Sequence, residues 1–132
     1  FELDAFKKEY LNAPDKNSAL EKFWTTYDPQ GYSLWFVHYN KSGDQGRIKF
    51  KTCNLKSNFL QRLDKFRKYS FSVHGVYGKE PDLEVEGVWM WRGTDIPEEI
   101  KTEDSFDFLT IRKLDTNNAE DKKLISEFWL NL

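Results

Sequence analysis

One thiol and two imidazoles are the side chains in this 132-residue chain that most readily suggest covalent catalysis. A cysteine becomes an effective nucleophile when a histidine within hydrogen-bond reach takes its proton. Cys53 would act with His38 or His74 if the fold brought them together in a sheet-lined pocket, as in a hydrolase or transferase. Each histidine falls in a strand pattern, and no nucleophile turn surrounds Cys53. We therefore expect all three to be structural residues.

Carboxylates give an equally weak indication of catalysis. Glu84 and Glu86 share one strand face, which satisfies the spacing of an acid–base pair, but alternating glutamates are common on a solvent-facing strand. The acidic segment 93–104 lacks the alternating oxygen ligands and central glycine of a calcium loop. The glycines match neither a dinucleotide fingerprint nor a phosphate-binding loop, and a single cysteine leaves no cysteine-based zinc site. We expect a noncatalytic protein without metal or cofactor.

Charge is distributed unevenly along the chain. Residues 41–68 include nine basic and two acidic side chains, whereas residues 79–107 include three basic and ten acidic ones. The net charge of -2 does not indicate bulk attraction to nucleic acid or anionic lipid. The two segments are either solvated faces or a charged surface that meets an oppositely charged partner.

Basic residues interleaved with aromatic ones are typical of nucleic-acid stacking platforms, so RNA contact along 47–68 stays open as an alternative. Residues 47–53 alternate like a half-exposed strand, which predicts Phe50 toward the core and Arg47, Lys49 and Lys51 toward solvent. Because the ring and the cations would lie on opposite faces, the sequence favours a protein partner over RNA.

The length fits one domain, and the aromatic content of 17% argues against disorder. No apolar run approaches the roughly 18 to 20 residues that span a bilayer, and no secretion signal is recognisable. We expect a cytoplasmic domain over residues 1–132, taken from a longer subunit because the chain starts at Phe1.

Hydrophobic periodicity predicts an α+β domain, with helices packed on an antiparallel sheet of about five strands. A capping box at Ser18 and Glu21 starts the second helix, and Asn117 or Asn118 caps the last. The predicted helices lie near 3–13, 18–27, 57–68 and 118–129. The predicted strands are 32–39, 47–53, 69–77, 83–92 and 105–113. The first is aromatic and β-branched on both faces, which predicts a central strand, and it is expected to form a hairpin with the second. Only the later half of the fourth is apolar on both faces and is expected to be covered on each side.

Several stretches occur together in one order across nearly the whole chain. They are Phe1–Tyr10, Ala19-Leu20 with Phe23-Trp24, Gly31–Trp35, Cys53–Leu55, Phe59–Lys68, Gly87–Gly93 and Arg112–Asp115. This ordered set resembles the C-terminal domain of the gamma subunit of eukaryotic translation elongation factor 1.

The resemblance implies an α+β domain on an antiparallel sheet, with no catalytic activity of its own. In that family the subunit holds the elongation factor 1 complex together and supports nucleotide exchange on the GTPase that delivers aminoacyl-tRNA. The resemblance also implies that the other subunits bind chiefly through an N-terminal domain absent from this chain. The ribosome or RNA stays open as a further partner.

Candidate partner-binding residues form two groups in the sequence. The first group is polar or basic and lies on the predicted third helix and just before it: Asn54, Gln61, Arg62, Lys65, Arg67 and Lys68. The second is Trp91 with Arg92, because tryptophan and arginine commonly anchor protein interfaces. Trp89 and Trp91 are otherwise core residues.

Overall fold

A four-stranded antiparallel sheet with strand order β2-β3-β1-β4 organises the computed structural model, which describes residues 1–102 and 104–130. The strands are β1 (Tyr32–Tyr39), β2 (Ser70–Lys79), β3 (Asp82–Arg92) and β4 (Leu109–Leu114). The helices are α1 (Leu3–Asn12), α2 (Lys16–Thr26), α3 (Lys49–Leu63), α4 (Glu98–Lys101) and α5 (Ala119–Trp129), with 3-10 turns at Asp64–Phe66 and Asp104–Phe108. The predicted α+β class is confirmed.

Strand β1 lies inside the sheet, between β3 and β4, as its aromatic and β-branched residues predicted. Successive side chains of a strand point to opposite faces. Leu34 consequently joins one hydrophobic layer and Val37 the other. The later half of β3 is likewise buried on both faces, as its sequence predicted.

Helices α1, α2 and α5 cover one face of the sheet. Phe6, Phe23 and Trp129 form the centre of this layer, with ring centroids 5.0 to 5.7 Å apart. The hydroxyl of Tyr10 donates a hydrogen bond of 2.6 Å to the carbonyl oxygen of Trp129, which ties the first helix to the last. Burying these large rings supplies the main hydrophobic stabilisation on this side.

Helices α3 and α4 cover the opposite face. Their layer contains Phe59, Trp89 and Trp91, with Ile96 and Ile100 closing it near α4. The ring centroids of Trp89 and Trp91 are 5.6 Å apart. No helix in the described ranges is both long and apolar enough to cross a membrane.

The predicted strand over 47–53 is wrong, and its hairpin with the preceding strand is absent from the described sheet. These residues form a loop and the first turns of α3, which begins eight residues before the predicted helix at 57. The buried residues Thr52, Phe59 and Leu63 are spaced by seven and four, the spacing of one helix face. The alternation over seven residues was misleading because the helical spacing of buried residues extends over the whole of α3.

Other element boundaries also differ from prediction. Helix α3 ends at Leu63 and is followed by a 3-10 turn, so Lys65, Arg67 and Lys68 lie beyond it, and α4 occupies part of the predicted acidic loop. Helix α2 begins at Lys16 because Asp15 accepts a hydrogen bond from the backbone N–H of Asn17, so the predicted cap at Ser18 is wrong. Strand β4 begins at Leu109, since a 3-10 turn occupies the start of the predicted strand. Asn118 caps α5 through bonds from the backbone N–H groups of Glu120 and Asp121, which confirms that prediction.

Candidate partner-binding surface

The outer side of α3 presents much of the first predicted group to solvent. The six candidates of that group are exposed: Asn54, Gln61, Arg62, Lys65, Arg67 and Lys68. The helix buries Thr52, Phe59 and Leu63 against the sheet, so residues half a turn away point outward. We define the α3 face as the exposed side chains of Phe50, Lys51, Asn54, Asn58, Gln61 and Arg62.

Phe50 is the main departure from the sequence prediction on this face. Its side chain was expected in the core, but it is 65% exposed. Once residues 49–63 form a helix, Phe50 no longer lies opposite its basic neighbours, and Lys51 and Asn54 are exposed beside it. Phe50 and its cationic neighbours therefore do not lie on opposite faces, and the geometry no longer disfavours RNA at this surface.

The second predicted group requires a correction. Trp91 is only 1% exposed and packs edge-on against Phe66, so its indole cannot anchor a partner at the surface. Tyr69 stands in its place, 48% exposed, with the guanidinium carbon of Arg92 5.7 Å from its ring centroid. Alternation along β3 explains this difference, because Trp91 faces the α3 layer while Arg92 ends the strand at the surface.

An open cleft of about 470 Å³ lies beside the Tyr69 ring. We call it the Tyr69–Arg92 cleft, and its lining residues are Lys65, Phe66, Tyr69, Arg92, Pro97 and Glu99. The cleft lies between the 3-10 turn that follows α3, the C-terminal end of β3 and the start of α4. The cleft combines an apolar floor with charged groups at its rim, the arrangement of a surface that receives a mixed apolar and charged group.

Positive charge accumulates next to this cleft. The ammonium group of Lys7 on α1 donates a hydrogen bond to the carbonyl oxygen of Arg67. Partial burial lowers the pKa of Lys7, and the nearby charges of Arg92 and Arg67 lower it further, against an opposing effect of Asp4. Arg67 also pairs with Asp64 at 2.9 Å. Cations from three separate elements therefore converge here, and an incoming carboxylate or phosphate would relieve their mutual repulsion.

Among the described residues, the structure shows no hydrogen bond between Cys53 and either histidine considered as its catalytic base. Cys53 lies on α3, whereas Nε2 of His74 accepts a hydrogen bond from the indole N–H of Trp89. Burial lowers the pKa of His74 to about 3, and the charge of Lys56 adds to that shift. An imidazole with so low a pKa stays neutral at neutral pH and does not take up a second proton. His74 therefore serves the core, which confirms the structural interpretation for that residue.

Glu84 and Glu86 do come together, around His38. Nδ1 of His38 lies 3.1 Å from Glu86 Oε2, and Nε2 lies 3.6 Å from Glu84 Oε2. Lys41 pairs with the other oxygen of Glu84 at 3.0 Å. These contacts form a half-exposed surface network, of the kind that contributes little to stability. Within the described residues, no group of histidine, cysteine and carboxylate ligands is arranged to hold a metal ion.

Sequence reasoning missed Lys7, Phe50 and Tyr69. Lys7 lies 60 residues from its partner Arg67, and no local pattern joins them. Tyr69 was placed at the start of a strand, although it directly follows Lys68 in a basic segment. Its position after Lys68 could have indicated an exposed ring, because an aromatic residue at the end of a basic segment can face solvent as readily as the core.

Comparison with known proteins identifies the family. Residues 1–95 match the family described as elongation factor 1 gamma, conserved domain. Elongation factor 1-gamma 2 of Oryza sativa subsp. japonica is 43% identical over 103 residues, which cover 76% of this chain and 24% of that protein. Probable elongation factor 1-gamma 2 of Arabidopsis thaliana is 38% identical over 128 residues, 95% of this chain and 31% of that protein.

An animal relative extends this similarity. Elongation factor 1-gamma of Danio rerio is 33% identical over 131 residues, covering 98% of this chain and 29% of that protein. The chain thus spans between a quarter and a third of the length of these relatives. The family match covers most of the chain and agrees with the resemblance seen in the sequence. This chain belongs to the elongation factor 1 gamma conserved-domain family.

Proposed function

We propose that the chain is a noncatalytic interaction domain of the translation elongation factor 1 complex. In this role it supports the guanine-nucleotide exchange complex that serves aminoacyl-tRNA delivery in the cytoplasm. Family membership supports the assignment to this complex. We further propose that residues 1–132 form one domain of a longer subunit, whose other parts hold most of the complex together.

The Tyr69–Arg92 pair is the observation that supports a docking role. A half-exposed tyrosine ring carries a guanidinium group on its face and borders an open cleft. Tyrosine and arginine are enriched among the residues that dominate binding energy at protein interfaces. Among the described residues, Arg92 has no carboxylate in an ion pair, so its charge is available to a partner.

The cleft favours an acidic protein segment as the partner. Arg92 lines the cleft, and Lys7 lies close to the charges of both Arg92 and Arg67. Glu99 adds one negative charge to the lining, whereas Phe66 and Pro97 supply apolar surface. A segment with an apolar side chain beside an aspartate or glutamate would match both features. Charge complementarity of this kind accelerates association and makes it sensitive to salt.

Photocrosslinking tests this proposal in the intact subunit. A photoreactive phenylalanine analogue replaces Tyr69, and a probe at Lys123 on the outer side of α5 is the matched control. A third probe at Arg62 reports on the α3 face. We expect the Tyr69 probe to label an elongation factor 1 subunit or a ribosomal protein, and Arg92→Glu to abolish that product.

Two results would contradict the proposal. Equal labelling from positions 69 and 123, insensitive to Arg92→Glu, would show that the cleft receives no specific partner. Turnover of a substrate by the chain, abolished by one replacement inside a cavity, would contradict the noncatalytic assignment. Lys123→Glu controls for the charge reversal itself, because it removes an exposed cation on a different helix.

A further inference from the structure

We propose that the α3 face binds single-stranded RNA, with the ring of Phe50 stacking on a base. The sequence left RNA open as an alternative but placed Phe50 on the opposite side from the cations. In the structure that objection no longer holds. The inference concerns a surface separate from the Tyr69–Arg92 cleft and does not depend on the proposed function.

The charge of α3 suits a polyanion. Its fifteen residues include three lysines and one arginine but no aspartate or glutamate. Lys51 and Arg62 are exposed on the α3 face, eleven positions apart, so they lie about 16 Å from each other along the axis. Two cations at that separation can contact different phosphates of one strand.

Two carboxylates at the ends of α3 are engaged by the protein itself, and a third, Asp44 in the preceding loop, lines a pocket with Lys51. Glu80, in the turn between β2 and β3, accepts a hydrogen bond of 2.7 Å from the backbone N–H of Lys49. Asp64 follows the last residue of α3 and pairs with Arg67. Glu80 and Asp64 lie at the ends of the helix, and α3 itself contributes no acidic side chain between them.

Phe50 supplies the feature that separates RNA from a simple anion. It is the most exposed of the large hydrophobic side chains in the described part of the chain, at 65%. An exposed ring is costly in water unless a partner covers it, and aromatic rings in single-strand sites stack on bases. Lys49 and Lys51 flank it in sequence, so any group that stacks on the ring meets positive charge beside it.

Amide side chains complete the α3 face. Asn54, Asn58 and Gln61 are exposed and follow Phe50 along the helix at intervals of four, four and three residues. Each amide both donates and accepts hydrogen bonds, as is needed to contact base edges and ribose hydroxyls. A nucleotide chain repeats a base beside a phosphate, and the α3 face offers a ring, amides and a cation near each end. An acidic peptide would use the cations but leave the amides and the ring without matched partners.

Fluorescence anisotropy with a labelled single-stranded RNA of about twelve nucleotides tests the proposal, since comparable single-strand sites cover this length. Phe50→Leu keeps an apolar side chain but removes the ring, and we expect binding about tenfold weaker. Phe50→Trp restores the stacking surface and the affinity. Leu11→Ala, which truncates an apolar side chain that is 52% exposed on α1, is the matched control and leaves binding unchanged.

Salt dependence tests the charge contribution separately. Removing two phosphate contacts with Lys51→Gln and Arg62→Gln is expected to reduce the slope of log affinity against log salt by about 1.4. Lys123→Gln removes one cation outside the face and leaves the slope unchanged. The RNA duplex of the same sequence is expected to bind more weakly, because its stacked bases cannot meet Phe50.

Three outcomes would overturn the proposal: no binding at low salt, equal affinity of Phe50→Leu and the unaltered chain, or equal competition by polyglutamate and single-stranded RNA. The last result would identify an acidic protein as the better match for the α3 face. Failure here is distinguishable from failure of the docking proposal. Phe50→Leu leaves the Tyr69 crosslink in place, whereas Arg92→Glu leaves RNA affinity unchanged.

Discussion

The indole N–H of Trp89 donates a hydrogen bond to Nε2 of His74 in the buried layer between the sheet and α3. This bond fixes the neutral tautomer with its proton on Nδ1, since Nε2 must supply a lone pair. Phe59 packs edge-on against the imidazole at 5.3 Å. The histidine is therefore held as a neutral acceptor in an aromatic layer, a role that makes protonation costly.

We expect His74 to make the domain sensitive to acid. Burial lowers the pKa of His74 to about 3 in the folded state, while the unfolded chain retains a value near 6.5. Between those values the unfolded state binds the extra proton, so stability falls as the pH is lowered from about 6.5 toward 3. The contribution of this group is about 1.4 kcal/mol per pH unit within that range.

Replacing His74 with glutamine isolates this effect. Its amide oxygen can accept the Trp89 bond without titrating. Denaturant unfolding of both proteins from pH 4 to 6 is the measurement, and the free energy of unfolding of His74→Gln is expected to vary less steeply. Equal slopes for the two proteins would contradict a neutral, buried histidine.

Gly87 faces the same imidazole and is expected to tolerate no side chain. A β-carbon there would lie 2.4 Å from the carbonyl oxygen of Val73 and 2.5 Å from His74 Cγ. Because the Val73 carbonyl belongs to a strand paired along its length with β3, it cannot move aside cheaply, and Gly87→Ala should destabilise the domain by about 2 kcal/mol or more.

Gly43 provides the comparison for this substitution. It has a φ of +60° and no atom within 4 Å of the position of an added β-carbon. Gly43→Ala therefore carries only the cost of the left-handed backbone, about 1 kcal/mol. Thermal or denaturant unfolding of both variants measures the difference, and an equal loss would exclude steric overlap as the cause at Gly87.

The sheet and the aromatic layers were predictable because their patterns extend over whole elements. The alternation of β1 and β3 placed Leu34 and Val37 on opposite faces and predicted double burial of later β3. Element starts were less predictable, since Asp15 and Ser18 are both good caps and only the folded backbone selects between them.

The exposure of the candidate residues was predicted in part. Arg62, Lys65, Arg67 and Lys68 are exposed as expected, because the spacing of Phe59 and Leu63 marks the buried side of this segment. Tyr69 and Lys7 were missed, because their role comes from contacts with Arg92 and Arg67 made by tertiary packing. Alternation along β3 alone places Trp91 and Arg92 on opposite faces, so the burial of Trp91 was predictable from the sequence.

Asp121 is expected to stabilise the start of α5 through two partners. Its carboxylate accepts hydrogen bonds of 2.9 Å from the backbone N–H of Asp115 and from the Arg112 guanidinium. The hydrogen bond from the backbone N–H of Asp115 is the largest cause of the lowered pKa of Asp121, and Arg112 lowers that pKa further. Stability from this group is thus present above pH 3.8, its unfolded value, and is lost as the pH falls through the lower folded value.

Replacing Asp121 with alanine removes both bonds. We expect a loss of about 1 to 3 kcal/mol in the free energy of unfolding at neutral pH, because the Asp115 N–H is left without this acceptor. Arg112→Ala is expected to cost less, since that side chain is 55% exposed. A larger loss from Arg112→Ala than from Asp121→Ala would show that the ion pair, and not the backbone bond, is the main interaction.

Helix α3 begins without a side-chain cap of its own, and this explains how its first turns were mistaken for a strand. Its N-cap residue is Ile48, which cannot accept a hydrogen bond through its side chain, and Glu80 from the β2–β3 turn bonds the Lys49 N–H instead. Tertiary structure thus provides the start signal that a sequence prediction seeks locally.

Two substitutions test this account of α3. Glu80→Ala removes the distant acceptor, so the amide of Lys49 should lose protection in hydrogen exchange while the amides of β1 keep theirs. Ile48→Asp places a cap at the start of the helix, and about 1 kcal/mol of stability should return when it is combined with Glu80→Ala. Ile48 is exposed, so little packing is lost in this exchange. Unchanged exchange at Lys49 in Glu80→Ala would mean that the helix start is stabilised by its burial alone.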